Sequence, residues 1–535
     1  MPIQFSRRAY SVTLFLILLV SYGYFMPKWA DWGANSRADL VYAFGDKGIL
    51  YIDDYHTNTG DKACYPKDAF TPEEGNPAGG SCAGHFYTDK SLGPSLLAYP
   101  FYIVFKGIAA LPPVERFIAS GSGLGSMSDT LSEDGQGIRP QATYEFMALT
   151  FITFFASAIP SAFLGVVLFW MAVRFANKDS YAFSLALAYG LGTMAFPYSN
   201  ALYQHQLAAF GAFVGFFLLW RIIYEKANLN WLWVVGVLFS FAAITEYPVV
   251  PALAIIFLWA VVKIPNRLAL YRVIVAAIPL MILFALFNYA TFNSFLPVGY
   301  NYSTNWQGEH QTGFLSLQLP SGDNLLRLYG LTFSPIRGIF LTSPFLLLAL
   351  WGFALMWRER REQRSTLITI TLFVAFFFFY NSSSVMWWGG FTIGPRYLIP
   401  MLPFFCLPII FSLNHLLNKV WGRILTGILM ALSLLSVWGM TIAGQSWPAV
   451  IEWPLTFQQM NASSTLFDFS LPLLSQGNIA RNYGMIAGLP GFLSLLPLLI
   501  TLLAILFIIP RLLDRNSKQV STREQNLTHA AGGTR

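Results

Sequence analysis

Apolar runs of about 20 residues recur along this chain from end to end, and no other feature constrains its fold as strongly. A run of that length spans the hydrocarbon core of a bilayer as an α-helix, whereas soluble helices carry only an apolar stripe. Hydrophobic residues occupy 55% of the 535 positions, which is more than a soluble domain of this size requires. The sequence therefore predicts an all-α, polytopic membrane protein.

Short clusters of Lys and Arg follow many of the apolar runs, and they indicate which loops face the cytoplasm. The net charge of +7 comes largely from these clusters and does not indicate a nucleic-acid partner. The pattern predicts about twelve transmembrane helices, with the N- and C-termini in the cytoplasm. The predicted spans are residues 9–26, 145–173, 181–197, 206–224, 231–246, 248–263, 273–291, 338–357, 366–381, 397–415, 424–444 and 491–510.

One apolar run, residues 95–111, is left out of these spans. Counting it as a crossing would reverse every later loop and would place the basic cluster at 358–364 outside the cell. We therefore predict an interfacial helix at the outer membrane face, within a large first outward loop that covers residues 27–142. Residues 1–510 then form a single transmembrane domain, and residues 511–535 are expected to be a disordered cytoplasmic tail.

The first part of the outward loop is rich in carboxylates. Ten Asp or Glu lie between residues 27 and 94, although charged residues make up only 11% of the chain. This density predicts an active site at the membrane surface, with solvated loop acids as the alternative reading. Cys64 and Cys82 flank a 17-residue insert in the same loop. They would pair if the loop faces an oxidising compartment, and the sequence leaves this open.

Several other polar and aromatic residues are candidates for substrate binding. Asp61-Lys62 and Asp89-Lys90 are adjacent opposite charges near glycines, and either pair also fits a role in solubility only. Glu246 is an ionisable group close to lipid, and this position fits a functional role and a hairpin tip at the surface equally. The remaining candidates are His85, His205, Arg337, Trp388 and Arg396. Trp388 also fits an aromatic belt at the interface. Arg396 follows a Gly-Pro turn, and its guanidinium suits phosphate.

Three stretches resemble the GT-C superfamily of integral membrane glycosyltransferases, which includes protein O-mannosyltransferases and the aminoarabinose transferase. Residues 35–48 with Asp53 and Asp54 are similar to the first-loop helix and acid of that superfamily. Residues 84–94, Gly-His-Phe-Tyr-Thr-Asp-Lys-Ser-Leu-Gly-Pro, resemble a loop motif of bacterial members, and residues 390–400 resemble a later outward motif. The general layout of a first helix followed by a large outward loop is also similar.

The resemblance implies transfer of a hexose or pentose from a polyprenyl-phosphate donor to a hydroxyl of a lipid, glycan or protein acceptor. It also implies an active site on the outer face of a bacterial plasma (inner) membrane. Where relatives carry their usual acid this chain has Asn35, so the resemblance makes Asp53 or Asp54 the base. Cations that stabilise the departing phosphate are Lys62, Lys90, Arg337 and Arg396, and His205 occupies the place of a second acid. Carboxylates suit Mg or Mn, but no spacing selects a metal, so a divalent cation stays open.

Two other functions remain as alternatives at this stage. A glycan polymerase or ligase of the O-antigen type would have its large outward loop late in the chain, whereas the large charged loop here comes first. A lipid or sugar transporter would place ionisable residues within its spans, which are nearly free of them here apart from Glu246. Both patterns favour the glycosyltransferase.

Overall fold

A computed structural model of the chain describes residues 5–28, 31–66, 82–120, 140–306, 322–384, 386–445 and 456–532. Helices dominate the described residues, which confirms the all-α prediction. The longer helices are Arg7–Tyr24, Trp32–Lys47, Leu92–Ala109, Pro140–Thr153, Ile159–Ala172, Asp179–Gly192, Gln204–Tyr224, Trp231–Thr245, Val249–Lys263, Tyr271–Phe292, Gly322–Thr332, Leu347–Glu359, Arg364–Ser383, Val420–Ile442 and Leu496–Gly532. The shorter α-helices are Pro112–Ser120, Ala195–Ser199, Ile339–Thr342, Leu402–Cys406, Ile409–Leu416, Phe457–Ala462, Leu471–Ser475 and Tyr483–Ile486.

The structure shows a polytopic membrane protein, but it does not confirm the number twelve. Among the described residues, seven helices are long and apolar enough to cross a bilayer, or eight if the bent pair Arg396–Cys406 and Ile409–Leu416 is one span. Other predicted spans are helical but short. Trp231–Thr245 and Val249–Lys263 have 15 residues each, or about 22 Å of helix, against about 30 Å of hydrocarbon.

The helix Leu92–Ala109 also meets this criterion of length and hydropathy. Its partner is the loop helix, Trp32–Lys47, against which it packs. Lys106 forms an ion pair with Asp46 at 2.7 Å, and the Tyr102 hydroxyl donates to the same carboxylate at 2.9 Å. The charges of Lys106 and Asp46 are better accommodated at the membrane surface than in the hydrocarbon core. These contacts support the interfacial location of residues 95–111, which stays a prediction.

A two-stranded antiparallel hairpin lies in the first loop and is held by a disulfide. Strand β1, Lys62–Tyr65, pairs with strand β2, His85–Thr88, in the register Lys62↔Thr88 and Cys64↔Phe86. Cys64 and Cys82 form the disulfide, with their Cα atoms 5.6 Å apart. A disulfide is typical of an oxidising compartment and therefore agrees with an outward-facing loop.

The first and last helices of the described chain pack against each other. The helix Arg7–Tyr24 packs along the last helix, Leu496–Gly532, and the Ser6 amide donates to Asp514 Oδ1 at 3.0 Å. The last helix extends to Gly532, within the tail for which the sequence predicts disorder. Residues 511–531 contain neither Gly nor Pro, so no residue in the tail interrupts the helix.

Candidate active site

Two neighbouring cavities lie where the first loop meets the membrane helices. The Asp61 cavity has a volume of about 300 Å³, and its polar lining includes Lys28, Asp31, Asp61, Lys90 and Arg396. The Glu246 cavity has a volume of about 110 Å³, and Ser91, Gln204, Thr245, Glu246 and Asn381 contribute polar groups to its lining. Both linings include Tyr300, Met386 and Tyr397, so the two cavities adjoin.

Asp61 and Lys90 line the Asp61 cavity, and together with Asp89 they form a buried cluster of charges. Lys90 Nζ lies 3.0 Å from Asp61 Oδ2 and 3.1 Å from Asp89 Oδ1. The Trp306 indole donates to Asp61 Oδ1 at 2.8 Å, and the Ser303 hydroxyl donates to Asp89 Oδ2 at 2.9 Å. The hairpin explains the cluster, because Asp61 directly precedes β1 and Asp89 directly follows β2.

The two carboxyls of this cluster differ in acidity. Burial disfavours charge on both, but Lys90 and the Trp306 indole outweigh it at Asp61, whose pKa is lowered. At Asp89 burial prevails, with the charge of Asp61 adding to it, and the pKa is raised. The two carboxylates raise the pKa of Lys90 in spite of its burial, so the lysine stays charged.

Asp31 and Arg396 lie on another part of the same cavity, and Tyr203 links them. The Tyr203 hydroxyl donates to Asp31 Oδ1 at 2.6 Å, while the Arg396 guanidinium lies over the Tyr203 ring at 5.0 Å from its centroid. No carboxylate of the described residues lies within ion-pairing distance of Arg396. A guanidinium that faces a cavity and has no carboxylate in direct contact is suited to a phosphate.

Glu246 and His205 form a buried pair at the edge of the second cavity. His205 Nδ1 lies 3.0 Å from Glu246 Oε1, and both side chains are almost fully buried. His205 comes at the start of a long helix and Glu246 at the end of Trp231–Thr245, so the pair joins two helix ends. The role of both residues in substrate binding stays a prediction.

Arg337 and Trp388 shape the turn that carries Arg396 and do not line either cavity. The guanidinium of Arg337 is buried and donates to the carbonyl oxygens of Gly390, Thr392 and Gly394 at 2.7–2.9 Å. Gly390 and Gly394 have positive φ angles, so the turn depends on glycine at both positions. We interpret Arg337 as a residue that holds the turn, a different role from phosphate binding.

Trp388 lies in the same turn and packs in an edge-on arrangement against Trp306, with ring centroids 6.3 Å apart. Since the Trp306 indole binds Asp61, Trp388 supports the cavity wall from behind. Direct stacking of Trp388 on a sugar ring would need a position in the lining, which it does not have.

The structure places the predicted bases, Asp53 and Asp54, away from both cavities. Asp53 accepts from the Phe86 amide at 2.7 Å and lies 2.6 Å from His85 Nδ1, so it ties the start of β2 to the preceding turn. Asp54 forms an exposed ion pair with Lys47 at 2.7 Å. His85, which contacts Asp53, lies in the hairpin and does not line either cavity.

Lys62 also points away from the Asp61 cavity. Its ammonium lies 2.9 Å from His56 Nδ1 and donates to the His56 carbonyl oxygen at 3.0 Å. Burial lowers the Lys62 pKa to about 8, and burial with the nearby Lys62 charge lowers the His56 pKa to about 4. Lys62 begins β1 and Asp61 directly precedes it, and neighbouring residues of an extended backbone point to opposite sides, which separates the two side chains.

Sequence reasoning missed Asp31 and Lys28, which line the Asp61 cavity directly after the first helix. Asp31 is the N-cap of the loop helix, and its side chain accepts from the Ala34 amide. An Asp just before a helix and just after an apolar run is a recognisable signal for the start of a helix, so the sequence pattern could have identified this acid. The role of Tyr203 depends on tertiary contacts and had no such signal.

The described residues do not offer a metal site made by the protein alone. No group of three or more His, Cys, Asp or Glu in the described ranges is placed to hold an ion. A divalent cation such as Mg or Mn therefore stays an open prediction.

No protein-family model and no curated protein sequence matches the chain. Among solved structures, it is similar to the crystal structure of ArnT from Cupriavidus metallidurans bound to undecaprenyl phosphate. The alignment covers 94% of this chain and 75% of that one, with 13% sequence identity and a TM-score of 0.46.

Proposed function

We propose that this protein is a membrane glycosyltransferase that moves a sugar from a polyprenyl-phosphate donor to an acceptor hydroxyl. One observation carries the proposal. The Asp61 cavity contains both a carboxylate that can take a proton, Asp31, and a guanidinium without a carboxylate partner, Arg396. These are the two groups that glycosyl transfer from a phosphate requires. The motif resemblance in residues 84–94 and 390–400 supports the class of donor.

Asp31 is the proposed base, because it is the cavity carboxylate with a free oxygen. Its Oδ1 accepts hydrogen bonds from Tyr203 and Ala34, whereas no contact among the described residues occupies Oδ2. Asp61 has both oxygens engaged, and its lowered pKa makes it a weaker base. We therefore assign the proton transfer to Asp31 and not to Asp53 or Asp54.

Arg396 and Lys28 are the proposed phosphate ligands, since Lys90 is already held between two carboxylates. In the transfer step, the bond between the anomeric carbon and the phosphate oxygen breaks while the acceptor oxygen bonds to that carbon. The proton of the acceptor hydroxyl passes to Asp31 Oδ2, and the electron pair leaves with the polyprenyl phosphate. Arg396 stabilises the charge that develops on this phosphate.

The test uses the full-length protein in nanodiscs with polyprenyl-phosphate hexoses and pentoses and a cell-envelope extract as the source of acceptor. Release of polyprenyl phosphate is measured by mass spectrometry. We expect Asp31→Asn to lower the rate about 100-fold or more, which is the usual contribution of a general base. Asp53→Asn and Asp54→Asn test the competing base assignment in the same assay.

Each outcome distinguishes between specific alternatives. Full activity of Asp31→Asn together with loss in Asp53→Asn or Asp54→Asn would overturn the Asp31 assignment and restore the sequence-based one. Movement of the donor across the membrane without release of polyprenyl phosphate would contradict the glycosyltransferase and support a transporter. Chain extension of a lipid-linked glycan would support the polymerase or ligase.

A further inference from the structure

Three unsatisfied polar atoms belong to residues that line the Glu246 cavity. Ser91 Oγ, Thr245 Oγ1 and Glu246 Oε2 have no hydrogen-bond partner among the described residues, and all three residues are more than nine-tenths buried. All three also line this cavity. Buried polar groups are nearly always hydrogen-bonded in native proteins, so an accumulation around one cavity indicates a ligand that supplies the missing partners.

The chemistry of these atoms specifies the ligand. Two hydroxyls can each donate and accept, whereas the carboxylate oxygen of Glu246 only accepts. A set that mixes donors and acceptors in this way fits the hydroxyl groups of a neutral sugar, each of which is both donor and acceptor. The cavity, at about 110 Å³, also greatly exceeds the roughly 10–15 Å³ that a single water needs.

The aromatic lining of the cavity is a second feature that favours a sugar over water as the ligand. Four tyrosines line it, namely Tyr247, Tyr300, Tyr380 and Tyr397. Aromatic rings offer flat apolar faces next to polar tips, which suits the C–H faces and hydroxyl edges of a sugar ring. The combination of aromatic faces with a carboxylate and hydroxyls is typical of a site that fixes the orientation of a small polar ligand.

The position of the cavity relates it to the proposed phosphate site. Arg396 lines the Asp61 cavity, and the next residue, Tyr397, lines both cavities together with Tyr300. A donor whose phosphate lies at Arg396 therefore has its sugar within reach of the Glu246 cavity. The bond to be broken would then lie beside Tyr300 and Tyr397, with Asp31 on the side of the Asp61 cavity.

We propose that the Glu246 cavity is the subsite for the sugar ring of the donor, and that it takes a neutral sugar whose free hydroxyls bind Ser91, Thr245 and Glu246. This inference rests on the proposed function and adds the place and the chemical class of the sugar. The His205 imidazole holds one oxygen of Glu246, so that the other is directed to the ligand.

The test compares the affinities of two lipids for the full-length protein in nanodiscs by native mass spectrometry. One lipid is bare polyprenyl phosphate and the other is the same lipid carrying a hexose or pentose. We expect wild type to prefer the glycosylated lipid. Glu246→Gln and Thr245→Val should reduce this preference about tenfold or more, because each removes a partner of a sugar hydroxyl. The affinity for bare polyprenyl phosphate should stay unchanged.

Two variants serve as controls. Glu225→Gln is the same substitution at an exposed residue that pairs with Arg174 and Arg221, and it should leave both affinities at wild-type values. Arg396→Met should lower the affinities for both lipids equally, since it removes a ligand of the phosphate that both lipids carry. If Glu246→Gln fails to fold, Thr245→Val carries the test alone.

The outcomes separate this inference from the proposed function. Turnover in wild type with no preference for the glycosylated lipid, or with an equal loss of both affinities in Glu246→Gln, would overturn the sugar subsite and leave the function in place. Absence of turnover with every donor, while the preference and its loss in Glu246→Gln persist, would overturn the transferase and keep a sugar-binding site.

Discussion

Asp61 forms its ion pair with Lys90, at 3.0 Å, and not with Lys62, its neighbour in the sequence. Lys62 instead bonds to His56 on another side of the hairpin. The pairing follows from strand register, because Asp61 and Asp89 flank the two paired strands and bring Lys90 between them. A non-local contact thus decides which charges form a wall of the cavity.

Loss of the Lys90 charge should destabilise the protein strongly. Lys90→Met leaves Asp61 and Asp89 buried together without a cation, for which we expect a cost of about 3–5 kcal/mol. The loss of stability is measured by unfolding the protein in detergent with heat or denaturant. Lys47→Met breaks only an exposed pair with Asp54 and should change the stability little. A similar effect of both substitutions would contradict the cluster.

The stability should depend on Lys62 in the alkaline range. Burial lowers the Lys62 pKa to about 8 in the folded protein, from 10.5 in an ordinary environment. Between these values the unfolded chain holds a proton that the folded chain has released, so the contribution of Lys62 to stability rises with pH. We expect the unfolding free energy of wild type minus that of Lys62→Met to become more positive from about pH 8 to pH 10.5, as the penalty for the buried charge is relieved. A constant difference over this range would contradict the shift.

Two glycines of the helix Leu92–Ala109 should respond oppositely to alanine. A Cβ on Gly93 would lie 2.0 Å from Thr245 Oγ1 and 2.8 Å from Thr245 Cα, so Gly93→Ala must push apart two packed helices. We expect a loss of about 1–3 kcal/mol and a weaker preference for glycosylated lipid, because Thr245 lines the sugar subsite.

Gly107 is the matched control, since a Cβ there meets no atom within 4 Å. Gly107→Ala should leave lipid binding unchanged and should increase stability by about 0.5–1 kcal/mol through helix propensity. Equal effects at the two positions, measured as unfolding in detergent, would show that the close approach of Gly93 to Thr245 does not matter.

Arg337 and Arg396 should be separable by their effects on stability. Arg337 donates to three carbonyl oxygens of one turn, and hydrogen bonds with a charged partner contribute about 1.5–3 kcal/mol each. Arg337→Met should therefore lower both the melting temperature and the affinity for polyprenyl phosphate. Arg396→Met should lower only the affinity. A normal melting temperature of Arg337→Met would contradict its role in holding the turn.

The disulfide gives a test of the side on which the first loop lies. Cys64 and Cys82 are separated by 18 positions, and a cross-link of such a loop contributes about 3 kcal/mol. We expect the double variant with serine at both positions to be less stable than wild type by about that amount in an oxidised sample. Under reducing conditions the two proteins should be equally stable, because wild type then also lacks the disulfide. A disulfide that forms only after cell lysis would contradict an outward-facing loop.

Much of the candidate site was visible in the sequence, but the assignment of roles was not. Asp61, Lys90 and Arg396 were candidates on chemical grounds, and the structure brings all three to one cavity. The family resemblance points to Asp53 as the acid of the first loop, yet its carboxylate binds His85 and the Phe86 amide. A carboxylate used for local structure and one used for catalysis look alike in a sequence.

The sequence by itself determined the class of the molecule, because crossing a bilayer depends on local properties. The length and hydropathy of each run decide whether a helix can lie in hydrocarbon, and the basic clusters decide its direction. Only the tertiary structure decided that Asp31 faces Arg396 across Tyr203, and that Glu246, Thr245 and Ser91 leave polar atoms unsatisfied around one cavity. Such contacts join distant parts of the chain, and they depend on strand register and helix packing that no single segment encodes.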